Sequence, residues 1–144
     1  LGDEQWQWLS KKMYTETDYR FIISSIQFLA IGHGWECWNN FPYERQRLID
    51  LIDKSNVKHT VLLSGDRHRG GHYELKTNSN KIISEMTSSS LNVPYSNSEE
   101  PGPLRIGSTY SKENYGVIQL VESQDSISVM LKNIRGEVVN SFRL

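Results

Sequence analysis

Two nearly unbroken apolar runs, RFIISSIQFLAIG at 20–32 and TVLLSG at 60–65, constrain this chain more than any other feature. A strand with one wet face alternates polar and apolar residues. These runs do not, and near-continuous apolar strands belong to sheets covered on both faces. Between them, PYERQRLIDLIDKS places Leu48, Leu51 and Ile52 in one stripe at helical spacing, with Pro42 near the start and Asn56 as a stop. A strand, a helix and a strand in that order predict a parallel pair joined by a crossover, so 21–65 reads as the centre of an α/β fold. Residues 61–64 are expected in a central strand and 66–72 in the loop at its end.

The flanking segments are read from their periods. EQWQWLSKKMY spaces Trp6, Leu9 and Met13 as one helical face behind Asp3 as N-cap. Beyond residue 70, the segments GHYELKT, NKIISEMTSS, YGVIQLVES, SISVMLKNI and EVVNSFRL read as strands, with Ile127, Val129 and Leu131 at period two. Residues 89–113, rich in Ser, Asn, Pro and Gly, are expected to form a long loop within one domain spanning 1–144.

Composition excludes some functions. With 16 Lys and Arg against 17 Asp and Glu, no broad positive field marks a nucleic-acid or anionic-membrane surface. The lone Cys37 precludes an internal disulfide and is expected as a packed small side chain. No run is long enough for a transmembrane helix, and LGDEQWQWL has no signal-peptide pattern. The abrupt start without Met reads as a piece of something longer.

The chemistry concentrates in LLSGDRHRGGH, at 62–72. Gly65 ends a buried strand, and loops at the carboxyl edge of such sheets collect ligands. In extended backbone the side chains of Asp66 and His68 point the same way, bringing a carboxylate and an imidazole to one spot. Mixed oxygen and nitrogen donors suit Zn, Mn or Fe, and Arg67 and Arg69 beside them are candidates to receive a phosphate or carboxylate. The plainer alternative is an Asp66 that closes a turn and a His68 that sits on the surface. Glu85, Thr87 and Ser88 in SEMTSS are candidates for a hydrogen-bonded rim behind the ligands, or simply for a polar strand end. Ser25 and Gln27 share one face of the first strand and border the same edge. Trp35, Trp38 and Phe41 are expected mainly as core aromatics.

The ordered set LG-x-x-Q-x-x-WL, SS-x-Q, W-E-x-W-x-x-FP-x-ER-x-R-L, LSGDRH and E-M-TSS resembles the PhoD-like alkaline phosphatase D family of calcineurin-like metallophosphoesterases, through about residue 90. NYGVIQL is similar to that family's closing strand. The resemblance implies a hydrolase of phosphate mono- or diesters, with divalent or trivalent ions (Fe, Zn, Mn or Ca) at the carboxyl edge of a layered αββα sandwich. Asp66 and His68 fall on its last metal-binding motif. Its earlier D-x-H and G-N-H type motifs are absent, and His33, His59 and His72 stand in no such contexts. The chain thus resembles the carboxyl-terminal half of the sandwich, a strand-helix-strand unit followed by mostly antiparallel strands.

The resemblance also sets expectations for neighbours and partners. Asn39 stands where some relatives have an acidic residue in a metal-contacting loop, and the superfamily often has a His near Ser25 and Gln27. The expected partners are a phosphate ester substrate and the amino-terminal half of the parent enzyme. In its absence self-association is expected, because half a sandwich leaves apolar sheet surface uncovered. The fragment alone is expected to be inactive. Relatives of this kind are often exported or membrane-associated, but no address is legible here. The competing reading is a noncatalytic β-rich binding module, with Trp35, Trp38 and nearby asparagines contacting a partner or sugar and a vestigial D-x-H pair.

Overall fold

The computed structural model describes residues 1–95, 99–121 and 125–144. Its elements are α1 (Asp3–Met13), β1 (Arg20–Ser24), a 3-10 turn (Trp38–Asn40), α2 (Pro42–Lys54), β2 (His59–Ser64), β3 (Gly70–Lys76), β4 (Ile82–Ser88), β5 (Arg105–Tyr110), β6 (Asn114–Val121), β7 (Ser126–Asn133) and β8 (Val138–Arg143). The chain is of mixed α/β class. Five strands form one sheet in the order β1-β2-β4-β3-β5, and β6-β7-β8 form a second. β1, β2 and β4 run parallel, whereas β3 is antiparallel to both β4 and β5. The second sheet is an antiparallel meander.

The alternation of side chains along β2 explains how the layers assemble. Leu62 points to one face and joins Ile83 and Tyr73 in packing against Trp6 and Met13 of α1 and Leu48, Ile49 and Ile52 of α2. Val61 points to the other face and meets Met86 and Ile127, Val129 and Leu131 of β7. The first sheet therefore lies between a helical layer and the second sheet, as a nearly continuous apolar strand requires. Each fully buried Leu or Ile here contributes about 1.5–3 kcal/mol relative to exposure. The sheets pack closely at Gly70, where an added Cβ would overlap the methyl groups of Leu131.

Several sequence expectations need correction. Asp3 does not cap α1: Gly2 holds that position, and Asp3 instead places its charge in the first turn, where the helix dipole favours it. α2 ends at Lys54 on Ser55, whose hydroxyl donates to the Ile52 carbonyl, one residue before Asn56. The first apolar run is not one strand, because β1 stops at Ser24 while Phe28, Leu29 and Ala30 stay buried in a loop. The stretch 89–113 is not all loop, since β5 adds an edge strand to β3 there. The strand end expected at 122–123 lies outside the described residues.

Among the described residues the outer strands are β1 and β5 in the first sheet and β6 and β8 in the second, and the edges of β1 and β6 line a common groove. Ile23 on β1 is 82% exposed, and Ile118 and Leu120 on β6 are 45% and 58% exposed. A groove of about 450 Å3 runs between these edges, floored by Leu63, Met86 and Val129.

Candidate metal and phosphate site

The parallel register aligns Ser24, Ser64 and Thr87 at the carboxyl end of three adjacent strands. The chain must then cross from β2 over β4 to enter β3, in only five residues. It does so with left-handed backbone at Asp66 (φ 68°) and His68 (φ 52°). This corrects the expectation of extended backbone. The side chains nonetheless separate in alternation: Asp66 and His68 are exposed, while Arg67 and Arg69 are 6% and 1% exposed. Left-handed backbone at a non-glycine residue is unfavourable by about 1–2 kcal/mol, less for Asp, and such residues cluster at functional sites.

Asp66 and His68 open onto a shared cavity of about 330 Å3, which Trp35, Glu36, Arg67, Val93 and Tyr95 also line. The segment after β4 straps this turn down. His68 Nδ1 donates to the Val93 carbonyl at 2.6 Å, and the Tyr95 amide donates to the His68 carbonyl at 3.0 Å. With its proton on Nδ1, the imidazole presents the Nε2 lone pair, the arrangement in which a second hydrogen bond orients a metal-binding histidine.

Arg67 and Arg69 face inward and share Glu100 as counter-ion. Arg69 also donates to Thr109 Oγ1 at 3.2 Å and to the Tyr95 carbonyl at 3.1 Å. The Arg67 guanidinium lies 5.6 Å from the centre of the Trp35 ring. The arginines thus set a positive potential beneath the turn, with one carboxylate already drawn to it. His33 adjoins the cluster, and burial, then Arg67, lowers its pKa.

Beneath the turn lies a buried polar network. Glu85, fully buried, accepts from the amides of Phe28 at 2.8 Å and Leu29 at 2.5 Å. Burial raises its pKa, opposed by hydrogen bonds from Ser64 and those backbone amides. Thr87 Oγ1 joins Gln27 Nε2 and Ser64 Oγ, each at 2.9 Å. Glu85 explains why β1 ends early: its carboxylate takes amides that a longer strand would have offered to a ladder. Gln27, Glu85 and Thr87 therefore form the floor of the strand ends, and Ser88 donates aside to Asn114 at 3.3 Å.

The structure leaves other sequence candidates outside the cavity. Ser25 is exposed and borders the inter-sheet groove, so it does not share a strand face with Gln27. Asn39 is exposed on the 3-10 turn and does not line the cavity. Only Trp38 fulfils the packing expectation, with its ring 5.2 Å from Phe28. Trp35 and Phe41 are 47% and 60% exposed. Cys37 is buried, as expected. Val93, Tyr95 and Glu100 carry no local sequence signal for this role, since they reach the turn from a loop about 25–33 residues downstream.

The donor set is partial. Asp66 and the free nitrogen of His68 suit a borderline or hard ion, but no three His, Cys, Asp or Glu side chains converge to hold a metal among the described residues. No described helix is long and apolar enough to cross a membrane.

Comparison with known proteins gives a consistent picture. The pattern of the PhoD-like phosphatases matches residues 1–143. Alkaline phosphatase D of Bacillus subtilis (strain 168) is 28% identical over 96 residues, covering 58% of this chain but 16% of that protein. A solved structure titled "Structure of PhoD" superposes with a TM-score of 0.64 at 20% identity, covering 99% of this chain and 35% of the other. The chain thus spans about a third or less of the length of these relatives. With the motif order through about residue 90, and the fold and the family pattern over nearly all of its length, in agreement, the chain belongs to the PhoD-like phosphatase family.

Proposed function

We propose that the chain is the carboxyl-terminal part of a metal-dependent phosphoric ester hydrolase and that Asp66 and His68 are two of its metal ligands. The carrying observation is that both open onto one cavity while a backbone carbonyl holds His68 Nδ1, leaving Nε2 to coordinate. The ions, whether Fe, Zn, Mn or Ca, supply charge neutralisation on phosphate oxygens and lower the pKa of water. Hydrolysis breaks a P–O ester bond; water supplies the new P–O bond, and the leaving oxygen takes a proton. Arg67 and Arg69 attract the phosphate, in competition with Glu100. The Gln27, Glu85 and Thr87 network holds the strand ends rigid so that the two ligands keep their separation. Ser25, Ser88 and Asn39 take no part in that role.

Two ligands are fewer than the roughly three protein donors such centres use. The remaining donors come, on this reading, from a preceding segment of a longer protein. The same segment completes an αββα sandwich by pairing with the open edges of β1 and β6, which the exposed Ile23, Ile118 and Leu120 support. Alone, the chain then binds a transition ion weakly and self-associates. Tight stoichiometric binding in a calorimetric titration, or a strict monomer by light scattering at high concentration, would count against this completion.

The decisive test is His68→Ala in the longer protein, with metal content and aryl phosphate hydrolysis measured on one preparation. Both should fall sharply, by at least about 100-fold in kcat, while the fold survives. Arg67→Ala should mainly raise KM. Retained turnover and metal in His68→Ala would leave the turn a structural feature and favour a binding module.

A further inference from the structure

The strongest feature that the metal reading leaves unused is aromatic. Trp35 and Tyr95 stand on two separate loops beside the Asp66–His68 turn, 47% and 54% exposed, with ring centres 6.1 Å apart at 84°. Core aromatics bury their rings, as Trp6 does at 1% exposure. These two instead wall the cavity onto which both candidate ligands open.

Their placement is built rather than incidental. Gly32 and Gly34 adopt φ of 88° and 80°, a conformation that glycine adopts without strain, and the reversal carries Trp35 outward. The Trp35 amide donates to His33 Nδ1 at 3.1 Å. Tyr95 is tied to the ligand turn at both ends of its peptide unit, through its amide to His68 and its carbonyl to Arg69. The guanidinium of Arg67 lies against the Trp35 ring and enriches the cavity wall in positive charge.

We infer that Trp35 and Tyr95 form a subsite for the alcohol portion of the substrate, and that the preferred substrates are small phosphate esters whose leaving group carries an aromatic ring. The phosphate is directed to the Asp66 and His68 side of the cavity and the ring packs against the exposed face of the aromatic pair. Aromatic contacts of this geometry contribute about 0.5–1.5 kcal/mol beyond area burial, a factor of about 2–13 in affinity. The inference rests on the phosphoesterase reading for its chemistry but not for its binding measurement.

The binding arm titrates the 144-residue chain with phenyl phosphate or glycerol phosphate and follows the tryptophan indole N–H signals by NMR. The Trp35 signal should shift with phenyl phosphate only, while exposed Trp8, on α1, serves as an internal control. No selective shift at Trp35 would overturn the subsite. The kinetic arm compares the two esters in the longer, metal-loaded protein. Trp35→Ala should lower kcat/KM for the aryl ester about five- to tenfold, leave the glycerol ester within about twofold, and be largely restored by Trp35→Phe. Equal losses for both esters would make Trp35 a loop anchor and overturn the proposal. A selective shift without hydrolysis of either ester would leave the subsite standing and sink the phosphoesterase reading instead.

Discussion

The Asp66–His68 turn and the network directly beneath it treat polar groups in opposite ways. Below, Glu85, Thr87 and Ser64 are enclosed and hydrogen-bonded within the chain. Above, Asp66 and His68 are exposed on left-handed backbone and present a carboxylate and an imidazole nitrogen outward. Stability favours the first arrangement, because an unpaired buried polar group is unfavourable by about 1–3 kcal/mol. The second contributes little to stability and makes sense as a site. On the metal-site proposal, a rigid floor beneath a strained, outward-facing turn would keep the two proposed ligands in fixed geometry.

The difference can be broken first at Glu85. Glu85→Ala removes the acceptor of two buried amides and opens a cavity, so urea denaturation should show a loss of about 3–5 kcal/mol. A loss under about 1 kcal/mol would mean that apolar packing of Phe28 and Leu29 alone holds their loop. Thr87→Val keeps the shape but leaves Gln27 and Ser64 without their shared partner, and should cost about 1–2 kcal/mol by the same measurement.

A gentler effect is expected where enclosure extends to the seam between the sheets. His72 is 3% exposed and stacked on Phe142 with centres 4.4 Å apart, and burial lowers its pKa against the opposing pull of Glu74. Its folded pKa lies below its unfolded one, so on acidification the unfolded chain takes the proton first. Its contribution is therefore full above the unfolded pKa of about 6.5 and is lost as pH falls through the folded value. In denaturation curves taken from pH 7.5 to 5, His72→Gln should flatten this slope; an unchanged slope would assign the acid sensitivity elsewhere.

The smallest effects belong to the turn itself. His68→Ala should change stability by less than about 0.5 kcal/mol, since the side chain is exposed. His68→Gly should be more stable than His68→Ala by about 1 kcal/mol, because glycine adopts the positive φ without strain. Equal stabilities would mean that the turn relaxes when the imidazole is removed.

Helix α2 and strand β2 were legible from sequence because period and apolar content are local properties. The stripe of Leu48 and Ile52 and the run TVLLS need no distant partner to be read. The parallel pairing of β1 with β2 followed from the crossover, and the chemistry of GDRHR from residue types alone. What failed was the extent of β1. Burial marks Phe28 and Leu29 as apolar whether a ladder or a loop encloses them, and the carboxylate that decides between the two lies 57 residues from Phe28. The turn's backbone was likewise invisible, since the left-handed angles at Asp66 and His68 arise from crossing β4 to reach β3. Sequence alone therefore named the two proposed ligands and the arginines that alternate with them. Tertiary structure decided which way each faces, that Glu100 neutralises the arginines, and that Val93 orients the imidazole, because those partners meet only once the chain has closed over the sheet edge.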